Sequence, residues 1–332
     1  MAEKELRLAI VGTGGIAKVH RNNLAVIGDN KIVAVCDVSE ENLKEAADAS
    51  GATPYTDFGK LMDSEKDLDA LVLCTPPIVR REVIEAACDR GLPVYCEKPP
   101  ARTDEDASEI ARIVEKSGNI VSVGFMYRYL PAVDHLRSLI GSKPINLVEG
   151  TYLCGVALAR NIPDWFFIRE RSGGHVVDQA IHMIDIIRYI AGPMAEVHTL
   201  GNNVICPKAD DFTVEDSSST NIRFASGASG CHVHSWANSG WMAEATFTGA
   251  EYRLTLKLND TVHGQISGET VEKTFAPPPS QDIRYWIMEA FLKAVRTGDA
   301  SDIRSPYADA AGSLAAVNAM NRSIDEGRPI SL

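Results

Sequence analysis

Nowhere in its 332 residues does the chain reach the roughly 18 consecutive apolar residues that a membrane span requires. The opening MAEKELRLAIVG is charged and then strand-like, so neither a signal peptide nor a spanning helix is expected there. Paired cysteines are also missing. Cys36, Cys74, Cys88, Cys96, Cys154, Cys206 and Cys231 stand singly, without a CxxC pair or a Cys/His spacing suited to zinc. That pattern excludes a disulfide framework and a structural zinc site, and the expectation is reduced thiols in the cytoplasm with no metal required. Positive charge is in deficit, 33 basic against 45 acidic side chains for a net charge of -12, which opposes binding to nucleic acid or anionic membranes. Internal repeats are absent, and Pro277-Pro278-Pro279 is the one low-complexity mark, read as a surface loop.

What is present is length enough for two hydrophobic cores and a change of pattern along the chain. In the first third, short continuous apolar runs alternate with helical patterns: LRLAIVG (6–12), KIVAVCD (31–37), ALVLCT (70–75), PVYCEKP (93–99) and NIVSVGF (119–125). Such runs predict a parallel sheet covered on both faces, with helices as crossovers, and Gly91 and Gly118 fall where those helices should end. Beyond about residue 130 the segments become long and strand-like, with turns at Ser226-Gly227 and Gly249-Ala250 and helical periodicity over 182–192 and 284–298. The expected fold class is α/β: a Rossmann dinucleotide-binding domain over 1–123, then an α+β domain over 124–332 with a large, mainly antiparallel open sheet.

Gly12-Thr13-Gly14-Gly15-Ile16-Ala17 follows the first strand directly and opens a helix, in the form GxGxxA. Gly12 permits the tight turn, Gly14 lets the backbone approach a pyrophosphate, and Ala17 allows close helix-strand packing. Asp37 ends the second strand and is placed to accept hydrogen bonds from the adenosine ribose, which favours NAD and repels the 2′-phosphate of NADP; it is equally placed to cap the helix beginning near Ser39.

Six motifs in order, VGTGGIA, CTPP (74–77), CEKP (96–99), GFMYRY (124–129), GGHVVDQAIHMID (173–185) and the VEDSSSTNIRFASGASG hairpin, resemble the Gfo/Idh/MocA family, named for glucose-fructose oxidoreductase, inositol dehydrogenase and a rhizopine-catabolism protein. The resemblance implies an NAD-dependent dehydrogenase acting on a sugar, sugar derivative or cyclitol. It implies Lys98, in Glu97-Lys98-Pro99, beside the nicotinamide and hydrogen-bonded to the reacting oxygen. It also implies His182 moving the hydroxyl proton, and Asp178 on a neighbouring hydroxyl. Helical spacing puts Asp178, His182 and Asp185 on one face, and Asp185 either orients the site or pairs with a cation such as Arg188. Thr75, Pro76, Pro77 and Met126 are implied along the cofactor, and Tyr127, Arg128 and Trp165 towards substrate. Further pocket candidates are Arg169, His175, His234, Trp236 and Trp241. The chain departs from the family pattern at Pro77 and Arg80, where asparagine and histidine are usual, at Phe166 and at His175. The implied assembly is a homodimer or homotetramer. Two other functions fit the resemblance: a redox-neutral enzyme that cleaves glycosides by transient oxidation, and a non-catalytic regulator of the same fold.

Overall fold

The computed structural model describes residues 4–332. In chain order the elements are β1 (Leu6–Val11), α1 (Gly15–Ile27), β2 (Asn30–Cys36), α2 (Glu40–Ser50), β3 (Thr53–Tyr55), α3 (Phe58–Ser64), β4 (Ala70–Leu73), α4 (Arg80–Asp89), β5 (Val94–Cys96), α5 (Asp104–Ser117) and β6 (Val121–Val123). There follow α6 (Pro131–Ile140), β7 (Leu147–Leu153), two four-residue helices α7 (Val156–Ala159) and α8 (Arg169–Ser172), a π turn (Val176–Ala180) and α9 (Ile181–Ala191). Next come β8 (Met194–Asn202), β9 (Ser217–Phe224), β10 (Ser229–Ser235), β11 (Met242–Thr248), β12 (Tyr252–Lys257), β13 (Thr261–Ile266) and β14 (Glu269–Thr274). The chain closes with α10 (Arg284–Thr297), α11 (Tyr307–Glu326) and β15 (Ile330–Ser331).

Two compact units share these elements. One comprises the chain to Tyr129 together with Pro277–Ala311; the other comprises Leu130–Ala276 and Gly312–Leu332. This differs from two consecutive blocks meeting at 123/124. Helix α10 packs on α1, and the Phe291 ring meets Tyr95 edge-on with centroids 6.0 Å apart. The Val123 amide donates to the Ser305 carbonyl, Ser305 Oγ donates to the Val123 carbonyl, and Tyr307 donates to the Pro100 carbonyl. Those bonds tie 277–311 to the first unit, and the triple proline stands where the chain returns to it.

The first unit is a six-stranded parallel sheet of order β3-β2-β1-β4-β5-β6. Its central strands are buried on both faces, Leu8, Ala9 and Ile10 in β1 and all of β4, as continuous apolar runs require. The one strand not anticipated, β3, has three residues and carries Pro54, which a sheet tolerates at an edge. The order reverses between β1 and β4, which is where such sheets bind ligands at their carboxyl ends.

The second unit holds a nine-stranded sheet, antiparallel except where β10 runs parallel to β7. Burial alternates along β9, and α9 covers one face: a Cβ added at Gly150 of β7 would come within 2.5 Å of Ile187. Strand β13 was not expected. It is polar and contains Gly264, whose absent side chain lets the Arg253 carbonyl approach.

Candidate active site

In the first unit, β1 runs into Gly12 at a φ of +86°; a Cβ there would stand 2.7 Å from the Thr75 nitrogen and 2.8 Å from the Cys74 carbonyl carbon. Only glycine fits, and the turn therefore lies directly against the end of β4. Gly14 caps α1 without a side-chain hydrogen bond, and the space where Gly14 and Gly15 side chains would stand is open. A thirteen-residue helix thus begins with unpaired N–H groups facing a cleared surface, which suits a pyrophosphate.

Asp37 follows β2. Its Oδ2 accepts from the Thr13 amide (2.6 Å) and hydroxyl (2.9 Å), and its Oδ1 accepts from the Ser39 amide (2.8 Å). Ser39, not Asp37, caps α2. The carboxylate is thereby held beside the glycine turn with lone pairs remaining for a ribose hydroxyl. These residues fit a dinucleotide.

The lip of β5 is built on Glu97, which is buried. Its Oε1 lies 2.7 Å from His20 Nε2 and accepts from Tyr95 Oη at 3.1 Å; its Oε2 accepts from the Lys98 amide at 3.1 Å. Burial alone would push this carboxyl up. The hydrogen bond and charge of His20, with Lys98 and Arg284, outweigh it and hold the group at about 2. Lys98-Pro99 is a cis peptide, and Lys98 is partly exposed.

In the second unit, Gly173 and Gly174 both adopt positive φ, and Asn321 donates to the Gly173 carbonyl at 2.7 Å. The π turn then carries Asp178 and Gln179, and α9 carries His182. Gln179 Oε1 accepts from Cys154 at 3.1 Å and from the Trp236 indole, and its amide donates to Tyr152 Oη at 3.3 Å. Such widened turns often mark functional segments.

Two family models match the chain, one described as "Oxidoreductase family, NAD-binding Rossmann fold" over residues 6–125 and one as "GFO/IDH/MocA C-terminal domain" over 144–255. The chain belongs to the Gfo/Idh/MocA oxidoreductase family. Its first unit is that family's NAD-binding Rossmann fold. The uncharacterized oxidoreductase YrbE of Bacillus subtilis is 28% identical over 227 residues, a match covering 68% of this chain and 65% of that relative, just under two thirds of its length. Inositol 2-dehydrogenase of Rhizobium meliloti is 27% identical over 337 residues, covering 98% and 99%. A levoglucosan dehydrogenase solved with NADH shares the fold at a TM-score of 0.85 and 22% identity, covering 98% of each chain.

Within the Gfo/Idh/MocA chain, the first unit sets Gly12 against Thr75 and Thr13 against Asp37; Gly14 precedes α1, Gly15 and Ile16 form its first turn, Pro76 and Pro77 follow β4, and Lys98 follows β5. The Glu97 carboxylate is engaged by His20, Tyr95 and the Lys98 amide. One expectation, that of Arg128, is corrected. Arg128 is fully buried, donating to the Arg304 carbonyl at 2.6 Å and to Asp309 at 2.5 Å, so its guanidinium has no surface for substrate. Asp178 lies in the π turn, and His182 and Asp185 follow it on α9. Asp185 is buried, accepting from Ser313 Oγ at 2.6 Å while Arg188 Nε donates to that hydroxyl at 3.0 Å.

Met126 and Tyr127 are buried in a 3-10 turn, while Trp165 is 37% exposed and stacks on Phe166 with centroids 3.8 Å apart. Among the wider candidates, Trp236, His175 and His234 lie in the core, Arg169 is held by Glu215 and Asp325, and Trp241 is exposed. Two residues escaped the sequence reading. His20 stands three positions past Ala17, a spacing that puts it on the buried face of α1; Ser313 carries no local signal at all.

Proposed function

We propose that this protein is an NAD-dependent dehydrogenase that oxidises a secondary alcohol of a sugar, sugar derivative or cyclitol, reversibly. The observation that carries the reading is Lys98, set at the carboxyl end of β5 by the buried Glu97, in the same unit as the open glycine turn. Bound NAD supplies the hydride acceptor. Lys98 presents an ammonium to the substrate oxygen, stabilising negative charge as the hydroxyl proton leaves. His182 takes that proton, a task suited to an imidazole near neutral pH, and Asp178 accepts a hydrogen bond from a neighbouring hydroxyl. Tyr127 and Trp165 offer apolar faces to a sugar ring.

The substrate class is supported by what the named relatives act on, an inositol and levoglucosan. The reading includes a cytoplasmic homodimer or homotetramer. Seven free cysteines suit a reducing compartment, and Leu147, Val233 and Met242 are exposed on one face of the nine-stranded sheet, an apolar surface suited to a second copy.

The test is absorbance in the NADH band while purified protein with NAD, and separately with NADP, is offered inositols, aldoses and uronates. A rise with one polyol supports the reading. Silence across the panel with NAD bound overturns it in favour of the redox-neutral enzyme or the regulator. Light scattering coupled to gel filtration reads the assembly.

A further inference from the structure

Arg80 opens α4 and is 2% exposed, yet none of the chemistry above uses it. Its Nε (3.2 Å) and one terminal nitrogen (2.8 Å) donate to the Thr75 carbonyl. That same terminal nitrogen reaches the Lys98 carbonyl at 3.3 Å, and the other donates to the Glu97 carbonyl. All the acceptors are backbone oxygens; no carboxylate pairs with Arg80 among the described residues. Burial pushes the neighbouring Cys74 and Cys96 thiols up, Cys96 to about 11, so they too are neutral. A guanidinium is stable out of water only where its N–H groups are bonded, and here the bonds go to three residues at the ends of two adjacent strands. Lysine, with one nitrogen, cannot span them.

We infer that Arg80 is a positioning residue whose fork ties the carboxyl ends of β4 and β5 together, so that Thr75 and Lys98 present a fixed lip to the nicotinamide half of the cofactor. The inference rests on the reading that Lys98 stands beside the nicotinamide. Strand order supports the placement: β1 and β2 belong to the half of a doubly wound sheet that takes one nucleotide, and β4 and β5 to the half that takes the other. The glycine turn and Asp37 hold the adenosine and pyrophosphate without Arg80, which touches neither.

The test uses the full chain as Arg80→Lys and Arg80→Met, titrated with NADH by fluorescence and with ADP-ribose, which lacks nicotinamide, by calorimetry. ADP-ribose affinity should stay within about twofold of the parent, while both variants lose about tenfold or more for NADH. The emission of bound NADH should move towards that of free NADH. With a substrate in hand, kcat should fall while KM changes little. Equal weakening of both ligands, unchanged NADH affinity, full function in Arg80→Lys, or failure of both variants to fold would each overturn the inference. The dehydrogenase reading fails separately, when no polyol reduces NAD while the variants still separate NADH from ADP-ribose.

Discussion

His20 Nε2 and Glu97 Oε1 lie 2.7 Å apart with both side chains buried, joining the helix that starts at the glycine turn to the segment that carries Lys98. A buried charge that loses its partner is left uncompensated, at a cost of about 3–5 kcal/mol. His20→Leu and Glu97→Leu should each lower urea-unfolding stability by that order, and the double variant should cost less than the two added. Additive losses would show that the pair is not coupled. Glu97 sits at about 2, below its ordinary 4.5, so its contribution is present above about 4.5 and is lost as pH falls towards 2.

Lys98→Ala removes an ammonium whose backbone is held by other residues. NAD affinity should change little while turnover falls on the order of 100-fold or more. Stopped-flow kinetics at saturating NAD decide the matter, and near-normal turnover would remove Lys98 from the chemistry.

Asp37 holds the turn, its Oδ2 accepting from the Thr13 amide and hydroxyl, and the proposed function also gives it the adenosine ribose. Asp37→Ser should therefore weaken NAD binding about tenfold and also narrow the preference over NADP. Competitive titration with both dinucleotides reads the two effects. An unchanged preference with weakened NAD would leave Asp37 a residue of the turn alone.

His175 and His234 stack with ring planes 4° apart and centroids separated by 4.8 Å, and His232 follows at 6.1 Å from His234. All three are buried. Burial pushes them down, His175 and His232 to about 4, and neither nitrogen of His234 has a protein partner. A base that resists protonation when folded favours the unfolded chain once pH drops below its ordinary 6.5. Stability should thus fall between about pH 6.5 and 4, by roughly 3 kcal/mol for each of His175 and His232. Thermal melts across that range should show a shallower slope for His232→Leu than for the parent. Parallel slopes would place the pH dependence elsewhere.

Much of the first unit was legible because its signals are contiguous. The apolar runs of β1 and β4, the glycine turn and Asp37 are each read from a few adjacent residues. In the second unit Asp178 and His182 stand out by spacing, but the π turn does not, since the same residues suit an α-helix. Arg128 looked like a substrate ligand beside Tyr127; its partner Asp309 is 181 residues away, and that distance hid the ion pair.

By itself the sequence determined the strand pattern, the dinucleotide turn and the family, because each depends on local backbone preferences and side-chain types. Tertiary structure alone decided which polar groups are spent in the interior. Burial makes an unpaired charge costly, so Glu97, Arg80, Arg128 and Asp185 are committed to partners that no local pattern reveals. It also decided that 277–311 returns to the first unit, since α10 buries its apolar face against α1 and the edge of β6 needs the Ser305 hydrogen bonds.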